Sequence, residues 1–384
     1  MLLPGARSGQ PAWEGNRVAA GSTQRDYSLT GPDAARAIEL GLASAQWYHS
    51  EIPRKTMKAL MQRSDRPALR DTAIWLGLMI LLGGSGSWLW GSWWCVPIFA
   101  AYGVLYGSAS DSRWHECGHG TAFRTPWMND AVYQVACFMM IRNPVAWRWS
   151  HTRHHTDTIV VGRDPEIVAT RPPALLRMMA NFLGIFDTVQ GLKTMMLNAF
   201  GAIGAQEALY IPETERKKVF RVARVWLVIY TATIGAAVYL ESLLPLMLVG
   251  LPRLYGAWHH VLTGILQHAG LAENVLDHRL NSRTVIINPI SRFIYWNMNY
   301  HVEHHMFPMV PYHALPRLHA LLKDDMPAPS RSMWEAYKDV IKTLRIQRDN
   351  PDWFIKRELP ATAKPYRPEF HGDVVPTMAD RKAA

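Results

Sequence analysis

Two long apolar blocks interrupt an otherwise polar chain. From Thr72 to Ser110 there is no charged residue, a run about twice the roughly 20 residues that a helix needs to cross a hydrocarbon core. Gly83-Gly84-Ser85-Gly86-Ser87 and Gly91-Ser92 offer a turn inside it, so the run predicts two spanning helices near 72–89 and 93–111. The second block runs from Val225 to Pro252, continues to about Gly270 and has a natural break at Glu241-Ser242. It predicts a second hairpin near 221–240 and 243–268. The pattern between Pro32 and Ser64, with Trp47 and Tyr48, is amphipathic and suits a segment lying along a membrane surface. Residues 172–204 are rich in Leu, Met and Phe but broken by Asp187 and Lys193, which predicts an interfacial helix and not a fifth crossing. After Asn350 the chain turns polar and Pro-containing, as a tail does.

These patterns define the expected fold class, an all-α integral membrane protein with four transmembrane helices in two hairpins. They divide the chain into an N-terminal segment (1–70) with a possible interfacial helix, a membrane domain (71–325) and a C-terminal tail (326–384). Charge then orients it. None of the 41 lysines and arginines lies in 72–112 or 225–252, whereas the segments between and around the hairpins are basic. The positive-inside rule places those segments, and both termini, in the cytoplasm, with both hairpin tips outside. The net charge of +10 suits anionic headgroups better than nucleic acid, because the basic residues sit beside apolar spans and not on a separable domain. Three cysteines, Cys95, Cys117 and Cys137, make no disulfide framework. Residues 1–25 have no apolar signal-peptide core, so the first spans are expected to direct membrane insertion.

Eight of the sixteen histidines fall in three short boxes: His115-Glu-Cys-Gly-His119, His151-Thr-Arg-His154-His155 and His301-Val-Glu-His304-His305. Helical positions three and four apart share a face, so each box is expected to aim its imidazoles at one point. All three lie on the same predicted side of the membrane, as one shared metal site requires. Box one alone also matches the His-Glu-x-x-His zinc-protease pattern, with Glu116 as general base, and a membrane zinc metalloprotease is therefore a rival reading. A single zinc has no use for two further HxxHH clusters. Eight imidazoles suit two metal ions better than one.

The string His115-Glu-Cys-Gly-His119, then Trp149-Ser150-His151-Thr-Arg-His154-His155-Thr156, then His301-Val-Glu-His304-His305-Met-Phe resembles the membrane fatty acid desaturase superfamily over roughly residues 70–325. The resemblance implies a cytoplasmic helical cap holding a non-haem di-iron centre (Fe2+/Fe3+), which uses O2 and two electrons to attack an unactivated C–H bond. Its implied ligands are His115, His119, His151, His154, His155, His301, His304 and His305, with His268, after Gln267 at the end of the fourth span, as a ninth. Glu116, Asp157, Asn297 and Glu303 are candidates for orienting imidazoles or holding a water; Asp164 reads better as a solvated carboxylate. Arg253 lies at membrane depth and is a candidate contact for a substrate carboxylate. Desaturation of a lipid acyl chain is the expected reaction, with hydroxylation of a lipid or small polar molecule as the alternative. The chain has no His-Pro-Gly-Gly haem signature, so electrons are expected from a separate carrier such as a ferredoxin with its reductase. The expected location is a bacterial inner membrane.

Overall fold

The computed structural model describes residues 25–367 apart from Ser44, and expectations for the first 24 residues lie outside that range. Among the described residues the chain is helical, with two isolated β-bridges. Helix α1 (Asp65–Trp88) forms from the first apolar run, with Asp65 in its first turn where the helix dipole favours an acid. The chain returns as α2 (Cys95–Val104), passes through a π-helical turn (Leu105–Ala109) and continues as α3 (Ser110–Gly118). Box one thus sits at the end of one long helical rod. Helix α4 (Pro126–Met140) packs on α3, and α5 (Pro144–Thr156) carries box two. The α5 start is well specified: Pro144 stands in its first turn, and the Asn143 side chain accepts from the Val145 and Ala146 N–H groups.

Helices α6 (Leu175–Phe182) and α7 (Ile185–Ala199) occupy the segment expected to be interfacial. Helix α8 (Glu213–Tyr239) follows, then α9 (Trp258–His268), the short box-three helix α10 (His301–Met306) and α11 (Met333–Asp349). Two helical stretches, Arg54–Trp88 and Glu213–Tyr239, are long and apolar enough to cross a membrane. Their outer faces are uncovered by protein: Ile80 is 77% exposed, and Trp88 and Trp93 at the α1–α2 tip are 87% and 89% exposed.

The expectation of four continuous spans needs correction at the fourth. Residues 243–268 form three short helices, Leu244–Leu248, Pro252–Tyr255 and α9. Gly250, in the left-handed region (φ +93°), and Pro252, which has no N–H, interrupt the ladder. The carbonyls freed by the breaks are met by side chains. Tyr102 donates to the Leu248 carbonyl at 2.8 Å, Tyr255 to Met247 at 2.8 Å, and Ser108 to Gly256 at 2.6 Å. Broken helices persist in apolar surroundings only under such compensation. Backbones touch here: a Cβ on Gly107 would lie 2.7 Å from the Pro252 carbonyl oxygen.

The N-terminal and C-terminal segments also depart from expectation. Trp47 and Tyr48 are buried instead of lying on a membrane surface. Trp47 stacks on His278 at 4.3 Å and donates to the Thr156 carbonyl, while the Tyr48 hydroxyl donates to Asp325. The region from 326 onward, expected as a tail, contains α11. Its Ala336, Val340 and Leu344 pack against Val261, Ile265 and Leu266 of α9, because apolar residues recur at helical spacing on one face. The result buttresses the helix that carries His268.

Candidate metal centre

All nine histidines implied by the sequence converge, in two groups. His115, His119, His151, His155 and His304 form one; His154, His268, His301 and His305 form the other. Within each group the ligand atoms lie within 4.8 Å of one another. The boxes do not each address a single point, which corrects the simplest reading of their spacing. His151 and His155, one turn apart, enter the first group, yet the intervening His154 enters the second. Box three does the reverse, sending His301 and His305 to the second group and His304 to the first. Successive helical residues point about 100° apart, so an HxxHH box gives one same-face pair and one outlier. Each outlier crosses to the other box's pair.

The imidazoles face one another through Nε2. His151 Nε2 lies 3.1 Å from that of His119 and 3.2 Å from that of His155, which is 3.2 Å from that of His304. In the second group His301 Nε2 lies 2.9 Å from both His268 and His305. The outer nitrogens decide the tautomers. His268 Nδ1 is 2.8 Å from the Asn281 carbonyl oxygen, His154 Nδ1 is 2.8 Å from Asp164, and His151 Nδ1 is 3.0 Å from Glu166. A carbonyl or carboxylate accepts, so these Nδ1 atoms carry hydrogen, which in a neutral ring leaves the Nε2 lone pair free for a ligand. Buried lone pairs converging this closely repel unless a cation stands among them. The donor set therefore fits metal ions, and imidazole nitrogen suits iron, copper, zinc and nickel.

Burial acts in the same direction. It pushes the pKa values of His115, His151, His155, His301, His304 and His305 well below the ordinary range, helped by neighbouring imidazoles, and that of His119 down to about 4. Neutral imidazole is the ligating form. His154 departs from this pattern: burial depresses it, but the Asp164 carboxylate more than offsets that and raises it to about 9.

The expected orienting groups are mostly elsewhere. Glu116 faces away from the imidazoles: its carboxylate accepts from Thr121 at 2.6 Å and from the Tyr312 N–H at 3.0 Å, and burial raises its pKa to about 7. Glu303 binds Thr284 and His319. Asp157 pairs with Arg163 at 3.0 Å, and Asn297 donates to the Tyr312 carbonyl. Arg253 is buried against Asp187 at 3.4 Å and is not among the residues that line the cavity beside the histidines, although Asp187 is. The actual orienting groups are Asp164, set aside above as solvated, and Glu166 and Asn281, which carried no signal. The first two sit on an irregular loop ten and fifteen residues after the histidines they hold, and no helical period links such pairs.

A cavity of about 470 Å³ opens beside both groups, reaching His115, His151, His154, His268 and His301. One wall is polar, lined by Asp187, Gln190, Thr194 and Asn198 at helical spacing along α7. Met178, Val261 and Ile265 add apolar surface to the lining. Near box one, the Arg142 guanidinium lies 4.1 Å from the Trp147 ring and 3.1 Å from Asp111.

The fold and site thus define a helical protein with two adjoining histidine groups, each of which could hold a metal ion, at the end of apolar helices. Residues 90–337 match the fatty acid desaturase family, and the chain belongs to that family. It is similar to an acyl-lipid omega-3 desaturase (cytochrome b5) of the endoplasmic reticulum from Arabidopsis thaliana, at 26% identity over 58% of this chain and 62% of that protein. An endoplasmic-reticulum omega-6 fatty acid desaturase isozyme from Glycine max is 25% identical, over 57% of this chain and 64% of its own length. A chloroplastic sn-2 acyl-lipid omega-3 desaturase (ferredoxin) from Helianthus annuus is 24% identical, over 69% and 62%. The chain therefore spans less than two thirds of the length of these relatives.

Proposed function

We propose that this protein is a membrane di-iron oxidase that desaturates a C–C bond of a lipid acyl chain. The observation that carries the reading is the pair of histidine groups with converging Nε2 atoms, next to a cavity large enough for a substrate segment. His115, His119, His151, His155 and His304 would hold one iron, and His154, His268, His301 and His305 the other. Iron held there would supply O2 activation; with two electrons from an outside donor and two protons, loss of two substrate hydrogens would reduce O2 to two waters as the double bond forms. The chain's own part is positional: Asp164, Glu166 and the Asn281 carbonyl keep the ring tautomers and directions constant, and burial keeps bulk water away from the imidazoles.

The uncovered apolar faces of α1 and α8 support membrane embedding. The α2–α3 rod and the broken 243–268 segment complete the bundle between them, with the basic side and the metal site cytoplasmic, in a bacterial inner membrane. Relatives named for cytochrome b5 and for ferredoxin support a separate electron donor, and a ferredoxin with its reductase fits the basic cytoplasmic face. The polar α7 wall favours a second reading, hydroxylation of a lipid or small polar molecule. The zinc-protease reading is disfavoured by Glu116, whose carboxylate is turned toward Thr121 and Tyr312.

Lipid profiling of cells with and without the chain, and with His154→Ala, tests the proposal. New double bonds in membrane acyl chains that need the intact chain and O2 are expected. An unchanged lipid profile with iron present overturns the acyl assignment; one zinc and no iron overturns the oxidase.

A further inference from the structure

Gly264 stands in the middle of α9, where glycine is the weakest helix former after proline. Nothing lies within 4 Å of the Cβ that another residue would place there. Helical Gly77, Gly84 and Gly235 are equally open, but they do not line the cavity; Gly264 does. It is one turn before His268 and one turn after His260, and both of those also line the cavity. The three positions make a stripe along one face of α9. The helix is not free to shift and close the gap. The His260 N–H donates to Ser108, the Leu262 carbonyl accepts from Tyr337, and His268 is held by Asn281. A glycine required for close packing looks different: on α7, a Cβ at Gly191 would lie 2.9 Å from the Ile141 carbonyl oxygen.

We propose that Gly264 is a specificity-determining residue of the cavity. By withholding a side chain it leaves room for a hydrocarbon segment of the substrate to lie against Val261 and Ile265, directly beside the second histidine group. The assignment rests on the oxidase reading above and deepens it. The substrate it predicts is amphipathic, with alkyl carbons on the α9 wall and a polar group toward α7. A larger side chain at 264 narrows the passage at His268.

Two measurements on the full-length protein test this separately. Gly264→Cys, reacted with methyl methanethiosulfonate in detergent, should label rapidly, because Cys95, Cys117 and Cys137 are all buried and give little background. Labelling as slow as that of the native thiols overturns the proposal, whatever the enzyme's substrate. In cells, Gly264→Leu should keep wild-type iron content and melting temperature while acyl product falls by about a hundredfold, the scale expected when a substrate is displaced by an ångström. Gly235→Leu, equally open but off the cavity, is the control and should keep product. Full product from Gly264→Leu also overturns the proposal. Rapid labelling with no lipid product from the wild type supports the open passage and sinks the acyl reading alone.

Discussion

The two histidine groups come from the same boxes but are held in different ways. In the four-histidine group, His154 is bound by Asp164, His268 by the Asn281 carbonyl, and His305 Nδ1 faces the Thr158 hydroxyl at 3.2 Å. In the five-histidine group, Glu166 holds His151, whereas the Nδ1 atoms of His115, His155 and His304 are buried without hydrogen-bond partners. One group has few ligands, three of the four aimed by a neighbour, with only the His301 Nδ1 buried without a partner. The other has more ligands, most aimed by helix packing alone. Outer hydrogen bonds raise ligand basicity and lock ring orientation, so the four-histidine position should bind metal more tenaciously per ligand.

The largest effect that would sharpen this contrast is ligand removal. His304→Ala and His305→Ala are neighbours in sequence but belong to different groups. Each should abolish product, and elemental analysis should show about one iron lost per chain in the His305 variant, with a smaller loss where four ligands remain. Equal loss in both variants would break the comparison. Next comes removal of an orienting group. Asp164→Asn should weaken metal binding about 10- to 100-fold, read by chelator titration, whereas Glu166→Gln should affect only the first ion released. A single-step release in both variants would mean that the two positions do not differ.

The metal-free protein offers a weaker effect. Its buried imidazoles have folded-state pKa values depressed below 6.5, with His119 at about 4. The unfolded chain therefore binds more protons across that window, and stability should fall as pH drops from 6.5 toward 4. His154 has the opposite sign: its pairing with Asp164 stabilises fully below 6.5 and is lost as pH rises through about 9. Melting temperatures across both windows check the two signs, and Asp164→Asn should remove the alkaline loss while leaving the acid loss. The smallest effect is expected from Glu116→Gln. This nearly isosteric change faces Thr121 and the Tyr312 N–H, so iron content and product should stay near wild type; a zinc-dependent proteolysis that this variant abolishes would restore the protease reading.

The spacing of residues carried much of the site. Helical periodicity in the boxes is local and strong, so the nine histidines were legible, including His268, once a family resemblance supplied its place. The pair of helices in the first apolar run was legible too, because the Gly-Ser stretches inside it mark a turn. The fourth span was misjudged because hydropathy averages over Gly250 and Pro252, and only the hydroxyls of Tyr102, Ser108 and Tyr255 show how a broken helix is sustained there. Asp157 was the candidate and Asp164 was not, yet the loop turns Asp157 toward Arg163 and folds Asp164 back onto His154.

The sequence by itself pointed to eight box imidazoles gathered at one site of a helical protein, with a family resemblance adding His268, because ligand type and helical period are local properties. Tertiary structure alone decided how they divide. Adjacent residues on a helix diverge by about 100°, so His154 and His155, like His304 and His305, part toward different groups, and which group receives each depends on how α5 and α10 are placed against α3 and α9.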